Sequence, residues 1–202
     1  MGYYKDCYGE NKNDEKWRPP YPPKPERFPV SVLSCGNGQG ASIPLGGIGV
    51  IDGMAARTLS VSDGGSGLIL GSVTLDTNGL DHPDIKIDFS SLINFRANFL
   101  SGYTLRLVFQ LSRCCNNGAK TALATWTYAK EADVFLDGLS VPTDVSGVFD
   151  FSDPFGFFWC QCNSCPGCCL YTVEVVDVFA YGIECASITN VGITAIASGK
   201  PE

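Results

Sequence analysis

The sequence predicts an all-β protein, folded as a two-sheet β-sandwich with jelly-roll topology and preceded by an extended N-terminal arm. Three observations predict this fold. Apolar and polar residues alternate with a period of two from Pro29 onward, turn signals that contain glycine separate the alternating segments, and no stretch of eleven or more residues shows helical periodicity. An immunoglobulin-like sandwich is the alternative topology, although this body is large for it.

Eight segments carry the period-two pattern. The strongest is 103–111, in which Leu105, Leu107, Phe109 and Leu111 fall on one face of the predicted strand. The aromatic run at 149–159 is interpreted as core and loop packing, with a carbohydrate-binding or subunit-contact surface as the alternative. The other seven predicted strands lie at 30–35, 57–61, 68–75, 85–89, 121–128, 171–179 and 188–197.

The chain divides into an arm, residues 1–28, and a sandwich domain, residues 29–202. The arm is rich in proline and charge and nearly lacks aliphatic residues, so it cannot form a core of its own and is expected to be extended. Aromatic residues on such a polar arm are candidate anchors for the surface of a neighbouring subunit, and a disordered tail is the alternative. These anchors are Tyr3, Tyr4, Tyr8, Trp17 and Tyr21.

Composition argues against several classes of protein. The net charge of −7 disfavours a nucleic-acid-binding protein, and no run of apolar residues is long enough to span a membrane. The single histidine, His82, lies in an Asp81-His82-Pro83-Asp84 segment that is typical of a turn, so we predict that the protein is not an enzyme. The glycine-rich segment at 36–41 resembles a dinucleotide motif but lacks a following helix, and we predict no cofactor.

Ten cysteines are many for a chain in which no secretory signal is visible. Cys162-x2-Cys165-x2-Cys168 has part of the spacing of an iron–sulfur motif, but the next expected cysteine is absent and no second ligand pair follows at zinc spacing. We therefore predict disulfides and no metal. Cys-rich loop 160–169 contributes most of the candidates for bonds within the domain, which are Cys160, Cys162, Cys165, Cys168, Cys169 and Cys185.

Adjacent cysteines in a strand point to opposite faces, so one can bond inside the domain while its neighbour faces outward. This applies to Cys114-Cys115 and Cys168-Cys169. A cysteine on an arm and outward-facing cysteines on a sandwich are candidates for links between subunits, while five bridges within one chain are the alternative. The candidates for intersubunit bonds are Cys7, Cys35, Cys114 and Cys115.

These features resemble a known group of proteins. The chain has Cys7 in its arm, the turn Ser34-Cys35-Gly36-x-Gly38-x-Gly40 at the start of a β-rich body, and further cysteines. In these features it resembles small cysteine-containing proteins of clostridia and bacilli, among them the subunits of Ena-type endospore appendages. The resemblance implies a jelly-roll subunit that stacks into fibres, with Cys7 on a connector that bonds to Cys114 or Cys115 of a neighbour. It also implies a spore-surface location, reached when the mother cell lyses.

The leading functional hypothesis is therefore a structural protein that polymerises with copies of itself into an extracellular or spore-surface filament. Arm docking, β-augmentation and intersubunit disulfides would hold the filament together. The alternatives are a lectin-like module that binds glycan and a viral or phage jelly-roll protein. A surface or glycan target for adhesion is a further possible partner.

Overall fold

The structure, a computed structural model, describes residues 28–45, 48–51, 54–60, 67–98, 102–116, 118–133, 147–164 and 166–201. All regular secondary structure in these residues is β-strand, as the alternation of apolar residues predicts. Residues 1–27 of the predicted arm, with Cys7 and the aromatic anchors, lie outside the described residues, and so does Cys165. No helix in the described part of the chain is long and apolar enough to cross a membrane.

Twelve strands form the described part of the domain. Eight of them, β1 and β6 through β12, are the main strands of the two sheets, and β2 to β5, with two to seven residues each, lie between β1 and β6 in the chain. Their bounds are β1 Val30–Cys35, β2 Asn37–Gly38, β3 Ala41–Ser42, β4 Ile48–Ile51, β5 Met54–Ser60, β6 Leu68–Asp76, β7 Leu80–Asn98, β8 Tyr103–Cys115, β9 Thr121–Ala132, β10 Val148–Gln161, β11 Cys168–Tyr181 and β12 Ile183–Pro201.

The eight main strands pair into two antiparallel sheets with jelly-roll order. The first sheet runs β1-β12-β7-β10, with β3 also beside β12. In the second sheet β8 lies between β9 and β11, and the far edge of β11 pairs with β6 and then β5. Successive main strands therefore alternate between the two sheets, except that β8 and β9 form a hairpin within the second sheet. This order is the double Greek key of a jelly roll. The predicted fold class is confirmed.

The core lies between the sheets and is built from the alternating apolar faces of the strands. The inward residues of β8 from Leu105 to Leu111 are fully buried, as their spacing predicts. Aromatic rings close the side of the sandwich formed by β9 and β10. Trp126 of β9 stacks on Phe157 of β10 with ring centroids 3.8 Å apart, and Phe155 packs 4.5 Å from Phe109.

Strand β10 corrects the interpretation of the aromatic run. Residues 149–159, interpreted from the sequence as core and loop packing, lie in a strand that contains Pro154 and Gly156. Within the described residues this strand pairs with β7 alone, so it is an edge strand. Proline is tolerated on an edge strand because no second neighbour needs its missing N–H. The predicted core role holds for Phe155, Phe157 and Trp159, which pack on the core, whereas Phe158 is 66% exposed.

The segment Asp81-His82-Pro83-Asp84 is not a turn between strands, so that prediction is wrong. It lies inside β7, where the pairing register with β12 shifts between Ser198 and Lys200. His82 has a φ of 44°, which a bulge accommodates. Its Nδ1 contacts the carboxylate of the neighbouring Asp81.

The glycine-rich segment at 36–40 carries the chain across the sandwich. It leaves β1 in the first sheet, pairs with β6 of the second sheet through β2, and returns as β3 beside β12. A Cβ atom on Gly36 would lie against the backbone oxygen of Ser72, and one on Gly38 against that of Val191. Glycine is needed here for close backbone packing, which agrees with the predicted glycine-rich turn.

Candidate functional site: the cysteines of the sandwich

The two pairs of adjacent cysteines meet at one end of the second sheet. Cys114-Cys115 ends β8 and Cys168-Cys169 begins β11, and the antiparallel register places Cys169 directly opposite Cys115. These two residues form a disulfide, with their Cα atoms 4.0 Å apart. The bond joins positions 54 residues apart in sequence, and it ties together the strands that carry much of the core.

Alternation along the strands turns the neighbouring cysteines to the other face. Cys114 and Cys168 both have free thiols, and the Cys114 thiol donates a hydrogen bond to the carbonyl oxygen of Gly118. The assignment of Cys115 to a bond between subunits is therefore corrected, because its partner lies directly across the β-ladder. Cys169 is bonded inside the domain, and in each pair one sulfur bonds inward while the other faces outward.

Free thiols also lie on the outer face of the first sheet. Cys35 of β1 and Cys160 of β10 are exposed, and they occupy the two opposite edge strands of that sheet. Cys185 is exposed on β12, across from Arg96 of β7. None of these three thiols bonds within the described domain, although Cys160 and Cys185 were predicted candidates for internal bonds.

An open cleft of about 490 Å³ lies beside Cys185. Its wall includes Arg96 and Asp150, which form two hydrogen bonds at 2.8 and 3.1 Å between the guanidinium and the carboxylate. This pairing lowers the pKa of Asp150 and raises that of Arg96, so both groups stay charged and balance each other. The cleft therefore carries no unbalanced charge from this pair.

Only part of the predicted loop at 160–169 is a loop. Cys160 lies within β10, while Cys168 and Cys169 belong to β11, so the connection is limited to residues 162–167. Cys162 is exposed at its start. In the described part of the chain, no three His, Cys, Asp or Glu side chains are grouped closely enough to hold a metal ion.

A polar contact joins the two sheets beside the stacked aromatic rings. Asp153 of β10 accepts hydrogen bonds from Tyr128 and Lys130 of β9, at 2.8 and 2.9 Å. These donors lower the pKa of Asp153, while burial and the nearby carboxylate raise the pKa of Tyr128. The carboxylate thus provides hydrogen-bond partners for the Tyr128 hydroxyl and the Lys130 ammonium beside the stacked aromatic rings of β9 and β10.

Replacing Asp153 with asparagine is expected to lower the free energy of unfolding at pH 7 by about 1–2 kcal/mol, because a charged acceptor is lost. The pKa of Asp153 is lowered in the folded state from its usual 3.8. Its contribution is therefore present above about pH 4 and is lost as the pH falls through the folded-state pKa. Urea unfolding should show a larger difference between wild type and D153N at pH 7 than at pH 3.

Asp150→Asn is the matched control for this prediction, since Asp150 lies on the same strand but its ion pair with Arg96 is exposed. It should leave the pH dependence of unfolding nearly unchanged. Equal effects of D150N and D153N, or a D153N effect that is undiminished at pH 3, would contradict the assigned role of Asp153.

Residues 30–198 match the family described as Domain of unknown function (DUF4489), a range that begins with β1 and ends within β12. The chain belongs to this family. A comparison with curated proteins found no match. The family assignment therefore covers nearly all of the described sandwich and carries no statement of activity.

Sequence reasoning missed two features of this site. It did not bring Cys35, Cys160 and Cys185 together on one sheet, because their sequence spacing carries no information about long-range strand pairing. It also missed the contact of Asp153 with Tyr128 and Lys130. The period-two spacing of Phe151, Phe155, Phe157 and Trp159 would have predicted β10 had the interrupting proline been considered as an edge-strand residue.

Proposed function

We propose that this protein is a structural subunit that assembles with copies of itself into an extracellular or spore-surface filament held together by disulfides. The observation that carries the proposal is the state of the cysteines. Of the eight in the described residues, two form the internal disulfide and six keep free thiols. Five of the six are exposed, so they are accessible to the thiol of another molecule.

The positions of the thiols support growth in more than one direction. Cys35 and Cys160 lie on opposite edge strands of the first sheet, so links at the two edges are heterologous and can continue from copy to copy. In the described residues the outer edges of β9 and β10 pair with no further strand, which leaves backbone groups for β-augmentation. Cys7 of the proline-rich arm is the proposed donor to a neighbouring copy.

Cys114 replaces Cys115 as the proposed acceptor on β8. Its thiol is half-buried and faces away from the internal disulfide, so it can react without opening that bond. Such links persist only under oxidising conditions, which agrees with the proposed location on the surface of a spore.

A lectin-like function receives less support from the geometry. Glycan-binding aromatic rings must be exposed, but Phe155, Phe157 and Trp159 pack against the core and stack with other rings. Phe158 is exposed, with the Lys86 ammonium 5.8 Å from its ring centroid. The jelly roll is shared with capsid proteins, and a closed shell rather than a filament in electron micrographs would favour that alternative.

The proposal is tested by oxidising purified protein with oxidised glutathione and separating it on a non-reducing gel. We expect a ladder of covalent multimers that collapses to monomer on reduction, and filaments in negative-stain micrographs. The triple variant Cys35→Ala, Cys160→Ala, Cys185→Ala should shorten the ladder. Ser31→Ala, which alters an exposed residue of β1 without removing a thiol, should not. Monomer alone on the gel, with no polymer in micrographs, would overturn the proposal.

A further inference from the structure

The internal disulfide lies at the wall of an open cavity. Cys115 and Cys169 both line a cavity of about 240 Å³ at the end of the sandwich, together with Asn116 and Gly167. Cys115 is partly exposed and Cys169 is 9% exposed, so one end of the bond can be approached from solvent while the other is covered. Disulfides that solvent can reach are exchanged more readily than enclosed ones.

A cation stands at the same cavity. Arg113 precedes the cysteine pair on β8 by one residue, lines the cavity, and donates a hydrogen bond from its guanidinium to the side-chain oxygen of Gln161 at 2.8 Å. Burial raises the pKa of the Tyr171 hydroxyl, and the positive charge of Arg113 partly offsets this rise, so the charge is felt by a buried group beside the disulfide. A guanidinium near a disulfide attracts thiolates and stabilises the thiolate that leaves.

We propose that Cys115–Cys169 is an exchangeable disulfide that accepts a thiolate from solvent or from a second copy of the chain. The inference rests on the proposed function where it concerns the second copy. The incoming thiolate attacks the Sγ atom of Cys115, a new disulfide forms there, and the old bond breaks. Cys169 leaves as a thiolate and takes a proton from water. The number of disulfides is unchanged, so the step needs no oxidant.

Cys115 is the sulfur that is attacked because thiol–disulfide exchange depends on access, and it is the more exposed of the two. The reaction would convert an internal bond into a link between copies, with Cys169 held as a covered thiol. Cys115 thereby becomes a site of cross-linking after assembly brings a thiol to the cavity. This differs from direct oxidation of two surface thiols, which needs an electron acceptor.

The test begins with wild-type protein whose free thiols are first blocked with N-ethylmaleimide under native conditions. Reduced glutathione is added without oxygen, and new thiols are trapped with iodoacetamide for peptide mass spectrometry. We expect glutathione on Cys115 and the trapped thiol on Cys169. Arg113→Gln should slow this reaction about threefold to tenfold at low ionic strength, because one nearby positive charge is lost.

Three outcomes would overturn the proposal: no trapped thiol while the protein stays folded, reaction only after denaturant unfolds it, or a rate that R113Q leaves unchanged. A second arm separates the two sources of thiolate. The blocked protein is mixed with unblocked, isotope-labelled copies, and a labelled peptide bonded to Cys115 identifies a second copy as the donor. If glutathione reacts but no labelled peptide appears, exchange between copies is refuted, whereas polymers formed by surface thiols would still uphold the proposed function.

Discussion

Replacing both Cys115 and Cys169 with alanine is expected to lower the free energy of unfolding by about 2–4 kcal/mol. The bond closes a loop of 54 residues, so its removal gives the unfolded chain many more conformations. It also joins β8 to β11, whose ladder runs the length of the second sheet. Alanine is used at both positions so that no hydroxyl is left without a partner at the covered site of Cys169.

Urea unfolding followed by tryptophan fluorescence measures this effect in reducing and non-reducing buffer. The double variant should unfold at the same urea concentration in both buffers, whereas wild type should lose stability on reduction. Cys35→Ala combined with Cys185→Ala is the matched control, since both thiols are exposed and unbonded in the domain. If the control loses as much stability as the double variant, the internal disulfide is not what holds β8 to β11.

Truncating Phe109 to alanine should cost about 3–5 kcal/mol, the largest effect expected from a single side chain. Phe109 is fully buried on β8 and lies between the sheets, with its ring 4.5 Å from Phe155 and 6.0 Å from Phe89 of the opposite sheet. Its removal leaves a cavity in the aromatic cluster, which stacked rings on rigid strands cannot fill by collapse.

Phe158→Ala is the control for that prediction, because it removes the same group from β10 at a position where the residue is 66% exposed. Its expected cost is below about 1 kcal/mol. Both variants are compared by urea unfolding at equal protein concentration in reducing buffer, so that assembly does not contribute. If the two variants lose similar free energies of unfolding, the Phe109 ring is not part of the core in the way that the structure indicates.

The sequence predicts the fold well wherever one face of a strand is buried. In β8, Leu105, Leu107 and Phe109 alternate without interruption, and the structure buries all three. The prediction fails at β10 and at the start of β7. Proline and glycine there mark an edge strand and a bulge, which single-residue turn rules do not distinguish from loops.

The candidate site was predictable only in part. The opposite directions of adjacent cysteines follow from strand geometry, so one inward and one outward sulfur could be expected for each pair. Which sulfur bonds to which depends on the register of β8 against β11, set by contacts far apart in sequence. For this reason the sequence did not predict the bond of Cys115 to Cys169, and the surface thiols Cys35, Cys160 and Cys185 could not be placed on one sheet.

The most direct test of the account is to map disulfides in polymer grown from an equal mixture of ordinary and nitrogen-15-labelled protein. Bonds within one chain join two peptides of the same isotope, whereas bonds between copies join labelled to unlabelled peptides in about half of the linked pairs. We predict mixed pairs that contain surface cysteines such as Cys35, Cys114 or Cys160. Peptide pairs of a single isotope throughout, at every cysteine, would contradict covalent assembly of this protein.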